Sequence, residues 1–163
     1  MTFNIFISFI ILLRIGELLL SKSNEKWLLR YGAVEYGKKH YPLIVALHIL
    51  FFISLVYEYT SQQTVSYNAF FIVIYIFLIV FKVWIISTLG KFWNTKIYHI
   101  SGIPSIKKGP YKYFKHPNYM VVIAEIAVIP LAFHLYYTAI IFTMLNAMVL
   151  YVRIKEEDRV LRI

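Results

Sequence analysis

Apolar residues run along this chain in blocks longer than the core-facing stripe of a soluble domain requires. The first extends from about Thr2 to Leu20, interrupted by Arg14 and Glu17. The second, Leu43 to Tyr57, follows Pro42, a residue suited to the first turn of a helix because its missing N–H costs nothing there. The third runs from Tyr67 to Leu89, contains Lys82 and stops at Gly90. The last, Tyr119 to Val152, is 34 residues with one charge, Glu125. At about 1.5 Å per residue that is too long for one crossing of a hydrocarbon layer about 30 Å thick. It reads as two helices folded back on each other, with Pro130 and His134 as candidates for the turn. The pattern predicts one all-α domain over residues 1–163, a polytopic integral membrane protein of five transmembrane helices whose last two form a hairpin.

The polar stretches between the blocks differ in charge, and the difference predicts a topology. Ser21 to His40 carries five Lys or Arg residues, Lys91 to Pro117 carries six, and the tail from Arg153 carries four. Glu58 to Ser66 and the hairpin turn carry none. Basic loops stay on the cytoplasmic side, so the expected N-terminus is outside and the C-terminus cytoplasmic. Five spans keep every basic segment on one side, which four or six would not. The opening stretch has no charged side chain before Arg14 and no small-residue cleavage site, so it reads as a spanning helix rather than a secretory signal.

Composition agrees with this reading and narrows the chemistry. Hydrophobic residues make up 60% of the chain, against about 45–50% in soluble domains. The net charge of +9 follows membrane sides instead of gathering on one polar face, which argues against a nucleic-acid partner. There is no cysteine, and the five histidines show no ligand spacing, so no thiol nucleophile and no metal site is expected. The length leaves no room for a separate soluble catalytic domain.

Polar chemistry is concentrated at a few places. Arg14 and Glu17 are three apart on one helical face and can pair, at the interface or lining a polar cavity. Lys82 lies near enough to the end of its block to snorkel to the interface. Glu125 could pair with Lys82 or Arg14, or lie on a substrate's path from the bilayer. Gly109-Pro110-Tyr111-Lys112-Tyr113-Phe114-Lys115-His116-Pro117-Asn118-Tyr119 packs lysines, tyrosines and a histidine against the expected start of a helix at Pro117. Its free N–H groups suit a carboxylate or phosphate, but a loop of this make-up also suits lipid headgroups and the interfacial aromatic belt. Arg153 and Glu157 share a face at the far end of the hairpin, with Glu156 beside them. The hairpin brings that tail and the Gly109 loop to the same membrane side. Acidic groups at a helix C-terminal end oppose its dipole, so local helix stability does not account for Glu156, Glu157 and Asp158.

These motifs together resemble the isoprenylcysteine carboxyl methyltransferase family, in particular its short bacterial members. The resemblance is carried by Arg14-Ile15-Gly16-Glu17 with Ser21 and Asn24, by Arg30-Tyr31-Gly32-Ala33-Val34-Glu35-Tyr36-Gly37, by Gly109-Pro110-Tyr111 leading to Lys115-His116-Pro117-Asn118-Tyr119, and by Arg153-Ile154-Lys155-Glu156-Glu157. It implies methyl transfer from S-adenosylmethionine without a Rossmann domain, and the chain has no glycine-rich dinucleotide fingerprint. By motif position the resemblance implies that Tyr111, His116, Pro117, Asn118 and Tyr119 bind the cofactor, with Ile103 to Ile106 as a loop wall and Tyr98 in place of a family glutamine. Glu157 would hold the cofactor's amino group and Arg153 would orient the acceptor oxygen. Lys115 stands where arginine is usual, keeping the charge and losing the fork.

The implied acceptor is a carboxylate or hydroxyl of a lipophilic isoprenoid or polyketide-like molecule. A hydroxyl would need a general base, for which Glu156 and His116 are the candidates. The implied setting is a bacterial plasma membrane with the active site facing the cytoplasm. Two other readings share parts of the pattern. His-Pro-Asn-Tyr also suits a nicotinamide-dependent membrane sterol or lipid reductase, though Met120-Val121-Val122 follows it here; a non-enzymatic lipid-binding subunit is the third.

Overall fold

The computed structural model describes residues 2–63, 66–104 and 106–161. Five long helices form: α1 (Thr2–Arg30), α2 (Tyr41–Ser61), α3 (Ala69–Leu89), α4 (Pro117–Leu131) and α5 (Tyr136–Val160). Two three-residue strands, β1 (Val34–Tyr36) and β2 (Ile97–His99), pair antiparallel with Glu35 opposite Tyr98. Among the described residues, four stretches, α1, α2, α3 continued through Phe92, and α5, are long and apolar enough to cross a membrane. The molecule is a helical membrane protein. The stretch expected as the fourth span forms the 15-residue α4, about 22 Å long and shorter than the hydrocarbon layer, so four candidate spans stand where five were expected.

α4 and α5 form the expected hairpin. Pro130 sits in the last turn of α4, its carbonyl accepts from the N–H groups of Phe133 and Leu135, and His134 closes the turn at φ 57°. The turn lies beside the α2–α3 connection: Gln62 Nε2 donates to the His134 carbonyl at 3.1 Å, and the Asn68 N–H donates to the Ala132 carbonyl at 2.8 Å. The Gly109 loop and the Arg153 tail therefore share the opposite end of the bundle. Around the turn, Phe3 stacks on Tyr59 and meets Phe133 edge-on in the main apolar core, which also holds Ile10, Phe51 and Leu55. Outward-facing Leu12, Ile53, Phe77 and Met144 stay exposed, as a lipid-facing surface requires.

Glu58 belongs to α2 rather than to the following loop, and it has a task there. Its two carboxylate oxygens accept from the first-turn N–H groups of α5, Tyr137 at 3.1 Å and Thr138 at 2.7 Å. A carboxylate at a helix N-terminus meets both the orphan donors and the positive dipole end. Glu58→Ala is expected to cost about 1–2 kcal/mol, read as a lower unfolding midpoint of the detergent-solubilised protein, with Glu58→Gln losing less. An unchanged midpoint in the alanine variant would remove this role.

Two expectations are corrected. The polar connector after Leu20 is not a loop throughout, because α1 continues to Arg30 and buries Ser21 and Asn24 against the segment after α3. Lys82 does not snorkel. It is 5% exposed and its Nζ lies 2.8 Å from Glu125 Oε2 and 3.0 Å from Glu17 Oε1. Arg14 completes the group, bonding Glu17 at 2.7 Å and Glu125 at 2.6 Å. The expected pairings of Arg14 with Glu17, and of Glu125 with Lys82 or Arg14, all occur together.

Candidate functional site

Arg153 is the centre of the polar end. It sits on the inward face of α5, 8% exposed, and its Nε donates to the Tyr119 hydroxyl at 2.9 Å. One terminal nitrogen donates to the Thr95 carbonyl. The Tyr119 hydroxyl in turn donates to Glu157, one helical turn beyond Arg153. The carbonyl of Thr95 is held in place by α1. Ser21 Oγ accepts from the Thr95 N–H and meets its hydroxyl at 2.8 Å, while Asn24 Nδ2 donates to the Trp93 carbonyl at 2.7 Å. That explains why α1 runs past the apolar block: its polar face braces the strand-like segment that carries Arg153's acceptor.

The loop before α4 supplies the rest. Gly109, at φ 51°, opens a 3-10 turn so close to Thr88 that a Cβ would collide with its side chain, which places Tyr111 against Ile85, Trp93 and Val121. Burial and the nearby Glu157 carboxylate raise the Tyr111 phenol well above the usual tyrosine range. Pro117 begins α4 as expected. His116 stacks on Tyr119 at 5.5 Å between ring centroids, and its Nε2 lies 2.8 Å from Asp158, which Lys115 also contacts at 2.7 Å. On the opposite wall, Lys96 bonds Glu25 at 2.9 Å and the Tyr98 hydroxyl donates to Glu25 at 2.8 Å. The bond to Glu25 holds the Lys96 ammonium above its usual range. Burial and then the bond to Glu25 push the Tyr98 phenol far up, so Tyr98 remains a donor.

Two cavities meet here. One, of about 100 Å³, is lined by polar and aromatic groups including Lys96, Tyr98, Tyr111, His116 and Glu157. The other, of about 250 Å³, is walled mainly by aliphatic and aromatic residues of α1 and α2, such as Leu18, Ile44, Val45, Ile49 and Phe52. Trp93, Asn118, Tyr119 and Arg153 line both. Among the described residues, Trp93 Nε1 and Asn118 Oδ1 are buried without a hydrogen-bond partner. Buried polar atoms left unpaired cost free energy, so a ligand at the shared wall is a natural partner for them.

The family model for isoprenylcysteine carboxyl methyltransferases matches residues 71–163. The chain belongs to that family. The match covers α4, α5 and the loop between α3 and α4, the parts that carry Arg153, Tyr119 and Glu157. Two relatives extend the likeness to the N-terminal half. The Bacillus subtilis (strain 168) uncharacterized protein YpbQ is 40% identical over 162 residues, 98% of this chain and 96% of the relative. An uncharacterized protein of Haemophilus influenzae (strain ATCC 51907 / DSM 11121 / KW20 / Rd) is 31% identical over 159 residues, covering 95% and 92%. No solved structure matches the chain. Membership of the family makes this a membrane methyltransferase.

Of the residues expected in a methyltransferase site, Tyr98, Tyr111, His116, Asn118, Tyr119, Arg153 and Glu157 meet at the smaller cavity. Pro117 is buried behind them as the first residue of α4. Others are not brought there. Ile103 is exposed, neither it nor Ile106 lines either cavity, and Ser105 between them lies outside the described residues. Glu156 lines neither cavity; it packs towards Gly37 and pairs with Arg159 at 3.8 Å. Reasoning from sequence passed over Trp93 and Thr95. Ser21 and Asn24, three apart on the polar side of an otherwise apolar helix, were the signal that something in that segment is held.

Proposed function

We propose that the protein transfers a methyl group from S-adenosylmethionine to a carboxylate or hydroxyl oxygen of a lipophilic, isoprenoid or polyketide-like molecule, at the cytoplasmic face of a bacterial plasma membrane. The observation that carries this is the wall shared by a polar cavity and an apolar one, with Arg153 in it. A water-soluble donor and a lipid acceptor have to meet through such a wall.

The residues of the smaller cavity suit the donor. Glu157 offers a carboxylate to an ammonium group, Tyr111, Tyr119 and Trp93 offer aromatic faces to a cationic centre, and Asn118 Oδ1 is an unpaired acceptor. At about 100 Å³ the cavity is smaller than the whole cofactor, so binding requires the site to widen. When bound, S-adenosylmethionine supplies an electrophilic methyl on sulfur, and the displacement neutralises charge as it proceeds. Alignment and exclusion of water then matter more than a strong base. Arg153, anchored on the Thr95 carbonyl and Tyr119, has donors left to hold the acceptor oxygen at the wall. A carboxylate needs no deprotonation. For a hydroxyl, His116 lies at the site, whereas Glu156 lines neither cavity.

The basic loops support a cytoplasmic placement of this end under the positive-inside rule. Family membership favours methyl transfer over the nicotinamide-reductase reading. Titration calorimetry of the detergent-solubilised protein with S-adenosylhomocysteine is expected to show saturable binding, and labelled methyl from S-adenosylmethionine is expected to enter a lipid of a total extract. Folded protein that binds no S-adenosylhomocysteine would overturn the reading.

A further inference from the structure

The larger cavity is not apolar to its end. Arg14, Glu17, Lys82 and His48 also line it, well away from Arg153. Three helices agree on the depth. From Tyr119 to Glu125 along α4 is six residues, from Tyr41 to His48 along α2 seven, and from Arg14 to Ser21 along α1 seven; at about 1.5 Å per residue the backbone carrying the polar group lies about 9–11 Å further into the bundle than the shared wall. Tyr41 and Ser21 mark the level of that wall because both meet the Thr95 hydroxyl.

Mutual pairing does not exhaust this group. Arg14 has five N–H donors and Lys82 three, and only one bond from each of two Arg14 nitrogens and two contacts of Lys82 are made within the group. His48 Nδ1 donates to the Ile44 carbonyl at 2.8 Å, so in the neutral ring Nε2 is left as an acceptor, and His48 faces the cavity. Donors and an acceptor thus surround one end of an otherwise hydrocarbon-lined space. The charges themselves balance, two cations against two carboxylates, so an anion would leave the group with an uncompensated negative charge. A neutral oxygen would not.

We propose that this is a second polar subsite of the acceptor cavity, which takes an uncharged oxygen function, above all a hydroxyl, carried on the lipid about 9–11 Å from the oxygen that is methylated. The proposal rests on the functional reading above for which end of the lipid faces Arg153. It adds that the acceptor is an oxygenated lipid rather than a plain hydrocarbon chain. The hydroxyl donates to His48 Nε2 and accepts from Lys82 or Arg14, and the remaining chain fills the apolar wall of α1 and α2.

The test uses straight-chain hydroxy fatty acids of one length, with the hydroxyl walked along the chain, and the unsubstituted acid as reference. Binding to the full-length protein in detergent is read by native mass spectrometry. Affinity is expected to peak at one hydroxyl position, about tenfold tighter than the unsubstituted acid. The peak should flatten in His48→Phe. It should also flatten in the charge-balanced Lys82→Met/Glu125→Leu double variant, which keeps the comparison open should one variant fold poorly. A flat profile in the wild type, or a peak that survives in both variants, overturns the subsite. Methyl transfer is assayed on the same series together with S-adenosylhomocysteine binding. Loss of those signals overturns the functional reading, while the affinity profile independently decides the subsite.

Discussion

Arg153→Ala is expected to lower methyl transfer by about two to three orders of magnitude, the usual cost of removing a donor aimed at the reacting oxygen. Arg153 makes two bonds that fix it, to Tyr119 and to the Thr95 carbonyl, and a third direction is left for the acceptor at the wall between the cavities. Alanine removes all three. Arg153→Lys keeps the charge, but an ammonium on a flexible stem cannot replace the planar fork, so it is expected to recover little, with a fall of at least about 10²-fold. Because the loss concerns alignment in the transfer step, kcat should carry most of it. S-adenosylhomocysteine affinity should change by less than about tenfold, since Glu157, Tyr111 and His116 remain. That split separates a role in orienting the acceptor from collapse of the site. An Arg153→Ala enzyme with more than about a third of wild-type kcat would refute the assignment, given the magnitude expected for such donors. Tyr119→Phe provides the companion measurement. It keeps the ring and removes the hydroxyl that links Arg153 to Glu157, so it should reproduce part of the loss through positioning alone.

The parts of this arrangement that could be read from the sequence are those written in local order. Long apolar blocks gave the helices, Pro117 marked the start of α4, and the Pro130 to His134 stretch marked the hairpin, which brings the Gly109 loop and the Arg153 tail to one end. What could not be read depends on partners distant in the chain. Lys82 looked like a snorkelling lysine because its block ends close by, although Glu125 was a candidate partner for it; that Glu17 joins the pair from a third helix is announced by no periodicity. The continuation of α1 through Ser21 and Asn24 is held by groups about seventy positions away. Strands of three residues are too short for an alternating pattern to reveal, so the clamp of Tyr98 and Lys96 on Glu25 was invisible. Glu157 was legible as the partner of Arg153 because four residues separate them, whereas Glu156, a candidate base by sequence, points about 100° away from it on the helix. Only Glu157 turns towards Tyr119.

Glu125→Ala is expected to destabilise the fold more than any other single change considered, by about 3–5 kcal/mol, because breaking a buried ion group by removing one partner leaves uncompensated charge. Glu125 is 1% exposed and its Oε2 receives both Arg14 and Lys82. Without it, two cations share Glu17 in the middle of the bundle, where stray charge is expensive. Glu125→Gln should be nearly as harmful, since a neutral amide keeps the shape and loses the counter-charge. The physical cause is net charge rather than lost contact area, and this gives the decisive control. Lys82→Met/Glu125→Leu removes one cation with one anion and leaves Arg14 and Glu17 paired three apart on α1, so most of the lost stability should return. Unfolding midpoints in detergent, followed through tryptophan fluorescence, read all four proteins on one scale. A double variant as unstable as Glu125→Ala would mean that packing, not charge balance, holds this region together. If instead the double variant is stable but no longer discriminates hydroxylated from plain acids, Lys82 and Glu125 serve to read the substrate rather than to stabilise the bundle, which would explain why ionisable groups persist at a depth where hydrocarbon packing alone would serve stability as well.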